Sequence, residues 1–335
     1  MTLPEIAAHF TLPGSVESHS EIPTGLINST HLVGCAGGQR FILQALNSAV
    51  FKKPAEVMEN IRTVTAHIAA KDSDARGLEL IPTTSGEPWL TLEDGTLWRC
   101  YPFIEGTESF TKITSPDLAY KAAAAFGDFQ AKLADLAPSL LHETLPDFHN
   151  TPSHFSKLLS AAEKDPRARL SGAHEEFDYI LSQKALTTLL TDADLPVRIT
   201  HNDTKISNIL FHTDGSAPPV VIDLDTVMPG SALYDFGDLV RSAAASADES
   251  EADPEKVFLD PALTKALTEG YLSTAADFLT PAETALLQDS VKVITLELAC
   301  RFLADHLLGD IYFKTNTEGH NLIRARNQLA LLKSM

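Results

Sequence analysis

The sequence predicts an α+β protein built in two parts, and three observations carry that prediction. Short apolar runs, bounded by turns rich in Gly, Pro and Asp, crowd the first hundred or so residues. From Pro116 onward helical spacing dominates. Within the helical part lies one strand pair, in the block Ile199 to Asp238, with polar residues gathered at its ends. Strands first and helices after is the order of an α+β fold, and the division is expected near residue 104, giving parts 1–104 and 105–335.

Bulk properties narrow the partners. The chain has 335 residues, ample for a core. Its formal charge of −19, from 26 basic and 45 acidic residues, repels nucleic acid and anionic membranes, so neither is expected as a partner. Cys35, Cys100 and Cys300 sit far apart without metal-ligand spacing, which suits a reducing compartment. The opening M-T-L-P-E-I-A-A-H-F lacks the basic and apolar regions of a signal peptide, and no stretch reaches transmembrane length. A cytoplasmic protein is expected.

In chain order, residues 2–12 have the spacing of a short helix. Gly25–Val33 and Gln39–Leu46 read as strands joined by the turn C-A-G-G. Pro54 starts a helix with Val57, Met58, Ile61, Val64 and Ile68 on its apolar face. Leu78–Thr84 and Gly95–Phe103 read as further strands, the second entered through the turn E-D-G. Pro116–Ala137 is an amphipathic helix, and His174 to Thr191 another. Glu163–Arg169 reads as a charged loop without a clear role. Ala243–Pro254 is small and acidic and reads as a mobile loop. Pro261–Ala276 and Pro281–Gly309 are helices, each with Pro in its first turn.

The chemistry is concentrated in I-T-H-N-D-T-K-I-S-N-I-L-F, followed by V-V-I-D-L-D-T-V-M-P-G and L-Y-D-F-G-D. Ile209–Phe211 and Val220–Leu224 read as a strand pair, with His212–Pro219 as the turn. Asp203 precedes the first strand, Asn208 starts it, and Asp223 lies at the end of the second. Phosphoryl transfer needs one carboxylate at the acceptor hydroxyl and a separate set of oxygen ligands for Mg²⁺. The order H-x-D-x-K-x-x-N followed by I-D matches the kinase catalytic loop and metal hairpin. Asp203 is the expected base or acceptor-orienting group. Lys205 is expected to meet the transferring phosphoryl group, and Asn208 and Asp223 to bind the metal. Asp225 stands either as a further ligand or as a loop anchor.

This block resembles the kinase-like phosphotransferases that include aminoglycoside and choline kinases. Within them, H-N-D-T-K-x-x-N, I-D-L-D-T-V-M-P-G and Y-D-F-G-D are similar to the N-acetylhexosamine 1-kinases. The resemblance continues at F-I-L-Q-A-L-N, F-K-K-P-A-E-V-M-E-N-I, Y-P-F-I-E-G-T and R-F-L-A-D-H-L-L-G-D-I-Y-F-K. It implies a two-lobed protein-kinase-like fold, with a small antiparallel sheet lobe and a mainly helical lobe. It also implies ATP and Mg²⁺ as cofactors, and transfer to the anomeric hydroxyl of N-acetylglucosamine or N-acetylgalactosamine.

Within that frame Asn28, Ser29 and Thr30 stand where a phosphate-contacting loop belongs, although ordinary strand polarity accounts for them equally well. Gln44 occupies the place of the usual lysine; Lys52 and Lys53 read as a solvated pair in preference to substitutes for it. Without that lysine, Glu56 and Glu59 have no ion-pair partner on the neighbouring strand. Tyr101 and Phe103 belong to the expected adenine hinge. His201 and Asp235 are expected to support the loop, with Asp238 as a helper. Glu297, Arg301 and Asp305 share one helix face, and the resemblance assigns sugar contacts to Arg301 and Tyr312.

Two rival readings remain open. One is a kinase of another small hydroxyl compound, an aminoglycoside or an amino alcohol such as choline, which the acidic chain would suit. The other is a pseudokinase, for which Gln44 is the argument.

Overall fold

The first part of the chain forms an antiparallel sheet because its apolar residues alternate across short, Gly-punctuated runs. The computed structural model describes residues 1–23, 27–72 and 78–335, so Gly25 and Leu26 of the expected strand Gly25–Val33 lie outside the described residues. A short helix, α1 (Leu3–Ala7), precedes β1 (Val16–Glu21), β2 (Ser29–Cys35) and β3 (Arg40–Ala45). Next come α2 (Pro54–Lys71), β4 (Leu90–Thr91), β5 (Leu97–Pro102) and β6 (Thr107–Glu108). The strands order β1-β2-β3-β5-β4 in one sheet. Val33, Phe41, Leu43, Trp98 and Cys100 pack one face of it against Ile6 and Phe10.

Expectation and structure part company at two places here. β1, V-E-S-H-S-E, has no apolar alternation; it is an edge strand, exposed along nearly its whole length, and forms through its ladder with β2. The expected strand Leu78–Thr84 does not form. That segment is pinned by single contacts instead, a bridge of Thr83 with Phe10 and a bond from Ile81 N to Cys100 O of 2.8 Å. Pro82 in its middle removes a ladder donor.

The helical part follows. It holds α3 (Pro116–Leu133), α4 (Thr151–Lys164), α5 (His174–Ser182) and α6 (Lys184–Thr187). The single helix expected over His174–Thr191 is thus broken in two at Gln183, and α3 stops at Leu133, short of Ala137. β7 (Arg198–Thr200) leads into the motif block, and β8 (Ile209–His212) and β9 (Val220–Val221) join β6 in a three-stranded sheet. The run Val220–Leu224 leaves the strand after Val221, because Asp223 is left-handed (φ 62°) and Leu224–Thr226 form a 3-10 turn.

The chain ends in α7 (Ala232–Ala243), α8 (Pro261–Ala275), α9 (Pro281–Leu308) and α10 (His320–Lys333). α9 is the axis of this core. Its Leu296, Phe302, Leu303 and Leu307 pack with Phe155 and Leu158 of α4 and Leu329 of α10. A Thr280–Glu283 capping box starts it, and Gly309, at φ 104°, ends it. Gly237 of α7 lies against α9 so closely that a Cβ there would stand 2.7 Å from Ser290 O; the glycine of Y-D-F-G-D is a packing requirement. Segment 243–254 is tied down rather than loose: Ser246 N bonds Phe258 O, and Asn327 Nδ2 bonds Asp248 O, at 2.9 Å each.

The chain divides into two compact units that alternate along the sequence. One comprises Met1–Glu108, Lys132–Pro146 and Leu210–Pro229; the other comprises Ser109–Ala131, Asp147–Ile209 and Gly230–Met335. No described helix is long and apolar enough to cross a membrane.

Candidate active site

The loop after β7 belongs to the helical unit, and a carboxylate of α7 shapes it. Asp235 is buried and accepts the main-chain N–H groups of His201 (2.8 Å, Oδ2) and Asn202 (2.7 Å, Oδ1). Gln130 donates a third bond at 2.6 Å, and its own carbonyl accepts the Tyr271 hydroxyl proton. Burial pushes the Asp235 pKa up, against the pull of His201, the two N–H groups and Gln130. This grip holds Asn202 in the left-handed region at φ 64°, a conformation that non-glycine residues adopt only when their surroundings impose it.

His201 is fully buried, edge-on to Phe126 and Phe129. Its Nδ1 accepts the Asp203 N–H at 3.3 Å, so the loop turns around the imidazole. Beyond it, Lys205 Nζ and Asn208 Nδ2 converge on one oxygen of Asp203, Oδ2, at 2.6 and 3.1 Å. Asn208 Nδ2 also donates to Asp203 O at 2.9 Å. Oδ1 of Asp203 stays outside all three contacts. Asp238, one turn after Asp235, pairs with Arg241 at 2.7 Å.

A second support of this loop was not anticipated. His149 donates through Nε2 to Asn202 O and through Nδ1 to Glu297 Oε1, both at 3.0 Å. Both partners are acceptors, so the ring carries both protons. Burial opposes that charge, but Glu297 and Asn202 O raise the His149 pKa; burial likewise opposes the Glu297 charge, which His149 stabilises. Thr151 Oγ1 donates to the other Glu297 oxygen at 2.7 Å, and Tyr234 stacks on the His149 ring at 5.0 Å. Glu297, of the face it shares with Arg301 and Asp305, is therefore buried and supports the loop.

The remaining residues of that face take different roles. Asp305 accepts three successive main-chain N–H groups, from Ile311, Tyr312 and Phe313, at 2.8–2.9 Å. It thereby shapes the segment after α9. Arg169, from the charged loop that had no evident role, pins the same segment through Asp310 (2.6 Å) and His306 O (2.9 Å). Arg301 sits between two rings, 5.5 Å from the Phe148 centroid and 5.6 Å from that of Phe313. Tyr312 is 70% exposed, its ring edge-on to Phe313.

In the sheet unit, Asn28, Thr30 and Gln44 join Arg99 and Asp225 in one hydrogen-bonded network, while Ser29, Tyr101 and Phe103 make other contacts. Gln44 Nε2 donates to Thr30 Oγ1 (2.9 Å), and Gln44 Oε1 accepts from Arg99 Nε (3.0 Å). Arg99 Nη1 pairs with Asp225 Oδ1, and Asn28 Nδ2 donates to Asp225 Oδ2 at 2.6 Å. Ser29 is exposed and bonds His31. The Tyr101 hydroxyl is buried beside Arg99, and its pKa is pushed up to about 12, mainly by burial. The Phe103 N–H donates to Arg40 O at 3.0 Å, while the Arg40 guanidinium lies over the Phe103 ring. Lys53 pairs with Glu56 in solvent, and Glu59 pairs with His142. Arg99 is the residue that motif spacing misses; its signal is a lone charge inside the strand L-W-R-C-Y-P.

Comparison with known proteins agrees with this architecture. The profile of the phosphotransferase enzyme family matches residues 18–271. An aminoglycoside phosphotransferase from Alicyclobacillus acidocaldarius superposes with a TM-score of 0.67 at 13% identity, over 100% of this chain and 95% of that one. A microcompartment-associated aminopropanol kinase gives 0.63 at 17% identity, over 98% and 93% of the two chains. A spectinomycin phosphotransferase, solved with ADP and spectinomycin, gives 0.63 at 12% identity, over 99% and 98%. At these identities the likeness is one of fold: an antiparallel sheet followed by a helical region, the α+β arrangement of the protein-kinase-like phosphotransferases.

Proposed function

The chain belongs to the phosphotransferase enzyme family, and from that premise we propose that it is an ATP- and Mg²⁺-dependent kinase of free N-acetylhexosamine. Its product would be the 1-phosphate. The observation that carries the reading is the geometry around Asp203. Lys205 and Asn208 fix one oxygen of the carboxylate, Oδ2, and leave Oδ1 outside those bonds.

In the proposed reaction Asp203 Oδ1 receives the proton of the anomeric hydroxyl as its oxygen attacks the γ-phosphorus. The new O1–P bond forms as the bond from the γ-phosphorus to the β,γ-bridging oxygen breaks, and ADP leaves. Lys205, 38% exposed at its side chain, meets the charge on the transferring group. Mg²⁺ prefers oxygen ligands, and the motif order assigns it to Asn208 and Asp223: the Asn208 amide nitrogen is spent on Asp203, which leaves its carbonyl oxygen, and Asp223 is a carboxylate. When bound, the ion would neutralise charge on the β- and γ-phosphates. Residues 1–104, with Asn28, Ser29, Thr30, Gln44, Tyr101 and Phe103, serve the nucleotide; residues 105–335 carry the catalytic loop and the acceptor site. His201 and Asp235 hold the loop. A cytoplasmic location accords with three buried free cysteines.

The sugar assignment is supported by Arg301 and its surroundings. A guanidinium held between Phe148 and Phe313 presents a cation and apolar faces together, which suits an acetamido carbonyl and a sugar ring. The same cation disfavours a polycationic aminoglycoside or an amino alcohol. Phe148 adjoins His149, the residue bonded to Asn202 O, so this cluster lies next to the catalytic loop. Coupled ADP release across a panel of N-acetylhexosamines, aminoglycosides and amino alcohols tests the choice. Turnover is expected on the hexosamines, and turnover confined to the aminoglycosides or amino alcohols would refute it.

A further inference from the structure

We infer that Arg99 is a positioning residue for magnesium–nucleotide binding: a buried cation on β5 that holds the turn bearing Asp223 by way of Asp225. The inference rests on the kinase reading above and deepens its account of the nucleotide side. In protein kinases a lysine of the third strand pairs with a helix glutamate, and the pair must be in place for catalysis. Here that lysine is replaced by Gln44, and neither helix glutamate meets a strand cation, since Glu56 and Glu59 pair with Lys53 and His142.

The charge has moved one strand across. Arg99 is the β5 residue directly opposite Gln44 in the ladder. It is 1% exposed, and a buried charge is costly unless paired and fully bonded. Gln44 is what aligns it: the amide NH₂ donates to Thr30 Oγ1 and the amide oxygen accepts from Arg99 Nε–H. The glutamine is thus the neutral half of a relay, in which a lysine would repel the guanidinium.

The far end of the relay is the turn. Asp223 sits at φ 62°, in the left-handed region that Asp enters more readily than most non-glycine residues, and two residues on Asp225 has one oxygen on Arg99 and the other on Asn28. The opposite end of the turn is held from α2, where Asn60 Nδ2 donates to Val227 O at 2.9 Å. Sheet and helix are therefore both tied to the turn itself, by an ion pair and an amide, and Arg99 Nη1 also reaches Met58 Sδ of α2 at 3.9 Å. Burial works against the charge of Arg99, yet Asp225, with Tyr101 and Asp223 nearby, raises its pKa above the ordinary arginine value. The cation is permanent, and Asp225, with both oxygens engaged, acts as the anchor of the loop.

The test compares wild-type protein with Arg99→Met, the double variant Arg99→Met/Asp225→Leu, and Glu59→Gln. Removing both buried charges together avoids the orphaned carboxylate that makes the single variant unstable, so the double variant should fold with a melting temperature near wild type. Its Mg²⁺ requirement for ADP binding, read by thermal shift and by Mn²⁺ electron paramagnetic resonance, should rise about 10- to 100-fold. Its KM for the acceptor should stay unchanged, and Glu59→Gln should bind MgADP as wild type does. A folded double variant with wild-type metal and ADP affinity would overturn the inference and reduce the pair to a stabilising contact. If the double variant does not fold, Asp225→Asn decides, with weakened Mg²⁺ binding expected and unchanged binding contradicting. Wild-type protein that ignores MgADP would instead bring down the kinase reading, and this inference with it.

Discussion

The two regions to which the proposed chemistry is assigned are held by different means. The proposed catalytic loop, Thr200 to Asn208, is shaped by hydrogen bonds to its main chain: Asp235 grips two N–H groups and His149 grips one carbonyl. The turn at Asp223 to Val227 is held mainly through a side chain, by the buried Arg99–Asp225 pair, with Asn60 taking Val227 O. A main-chain grip fixes backbone shape whatever side chains the loop displays. A side-chain grip places a charge and makes the turn depend on residues far away in sequence. The first arrangement tolerates change in the loop, and the second couples the turn to the sheet.

The sharpest break in the comparison comes from the loop's own carboxylate. Asp203→Asn should lower kcat by about 10²- to 10⁴-fold while leaving ADP affinity unchanged, because the residue belongs to the loop and not to the turn. Steady-state kinetics beside calorimetric ADP titration checks both halves.

Next in size is the support beneath the loop. Glu297→Gln strips the partner from a buried imidazolium, and the cost should be about 3–5 kcal/mol in urea unfolding. Its pH dependence follows from two shifts. His149 has a raised pKa, so its share of the stability is complete below the unfolded value of 6.5 and is lost as pH climbs through the folded value. Glu297 has a lowered pKa, so its share is complete above the unfolded value of 4.5 and is lost as pH falls through the folded one. The gap between wild type and variant should therefore be widest between those two values and narrow as pH rises past the folded His149 pKa. A gap that widens with alkalinity would contradict the pairing.

Gly237→Ala should cost about 1–3 kcal/mol by overpacking α7 against α9. Because α7 carries Asp235, kcat should fall with it while Mg²⁺ dependence stays as in wild type. The smallest effect is expected at Glu59→Gln, within about 0.5 kcal/mol, because the Glu59–His142 pair is half exposed.

The same contrast explains what could be read from the sequence. The loop supports itself largely with residues of its own block. His201, Asp203, Lys205 and Asn208 stand within eight positions of one another, in the order of the catalytic-loop template, and Asp235, 27 positions after Asn208, was expected from the family resemblance to bond this loop. The contacts of the turn span 126 positions for Arg99–Asp225 and 197 for Asn28–Asp225, and no local pattern announces them. His149–Glu297, at 148 positions, was hidden for the same reason. Among the elements, helices with a proline start and an apolar stripe were legible. β1 was not, since its residues are exposed on both faces and only the ladder with β2 makes it a strand. α10 was missed because H-N-L-I-R-A-R-N-Q-L mixes charges into a helix that is nonetheless half buried against α9.

The measurement that bears most directly on the account is phosphorus NMR of the product formed from ATP and N-acetylglucosamine or N-acetylgalactosamine. The account predicts a sugar 1-phosphate, seen as coupling between phosphorus and the anomeric proton, formed by the wild-type protein and lost in Asp203→Asn. Phosphate on any other hydroxyl, or undiminished product from Asp203→Asn, would contradict it.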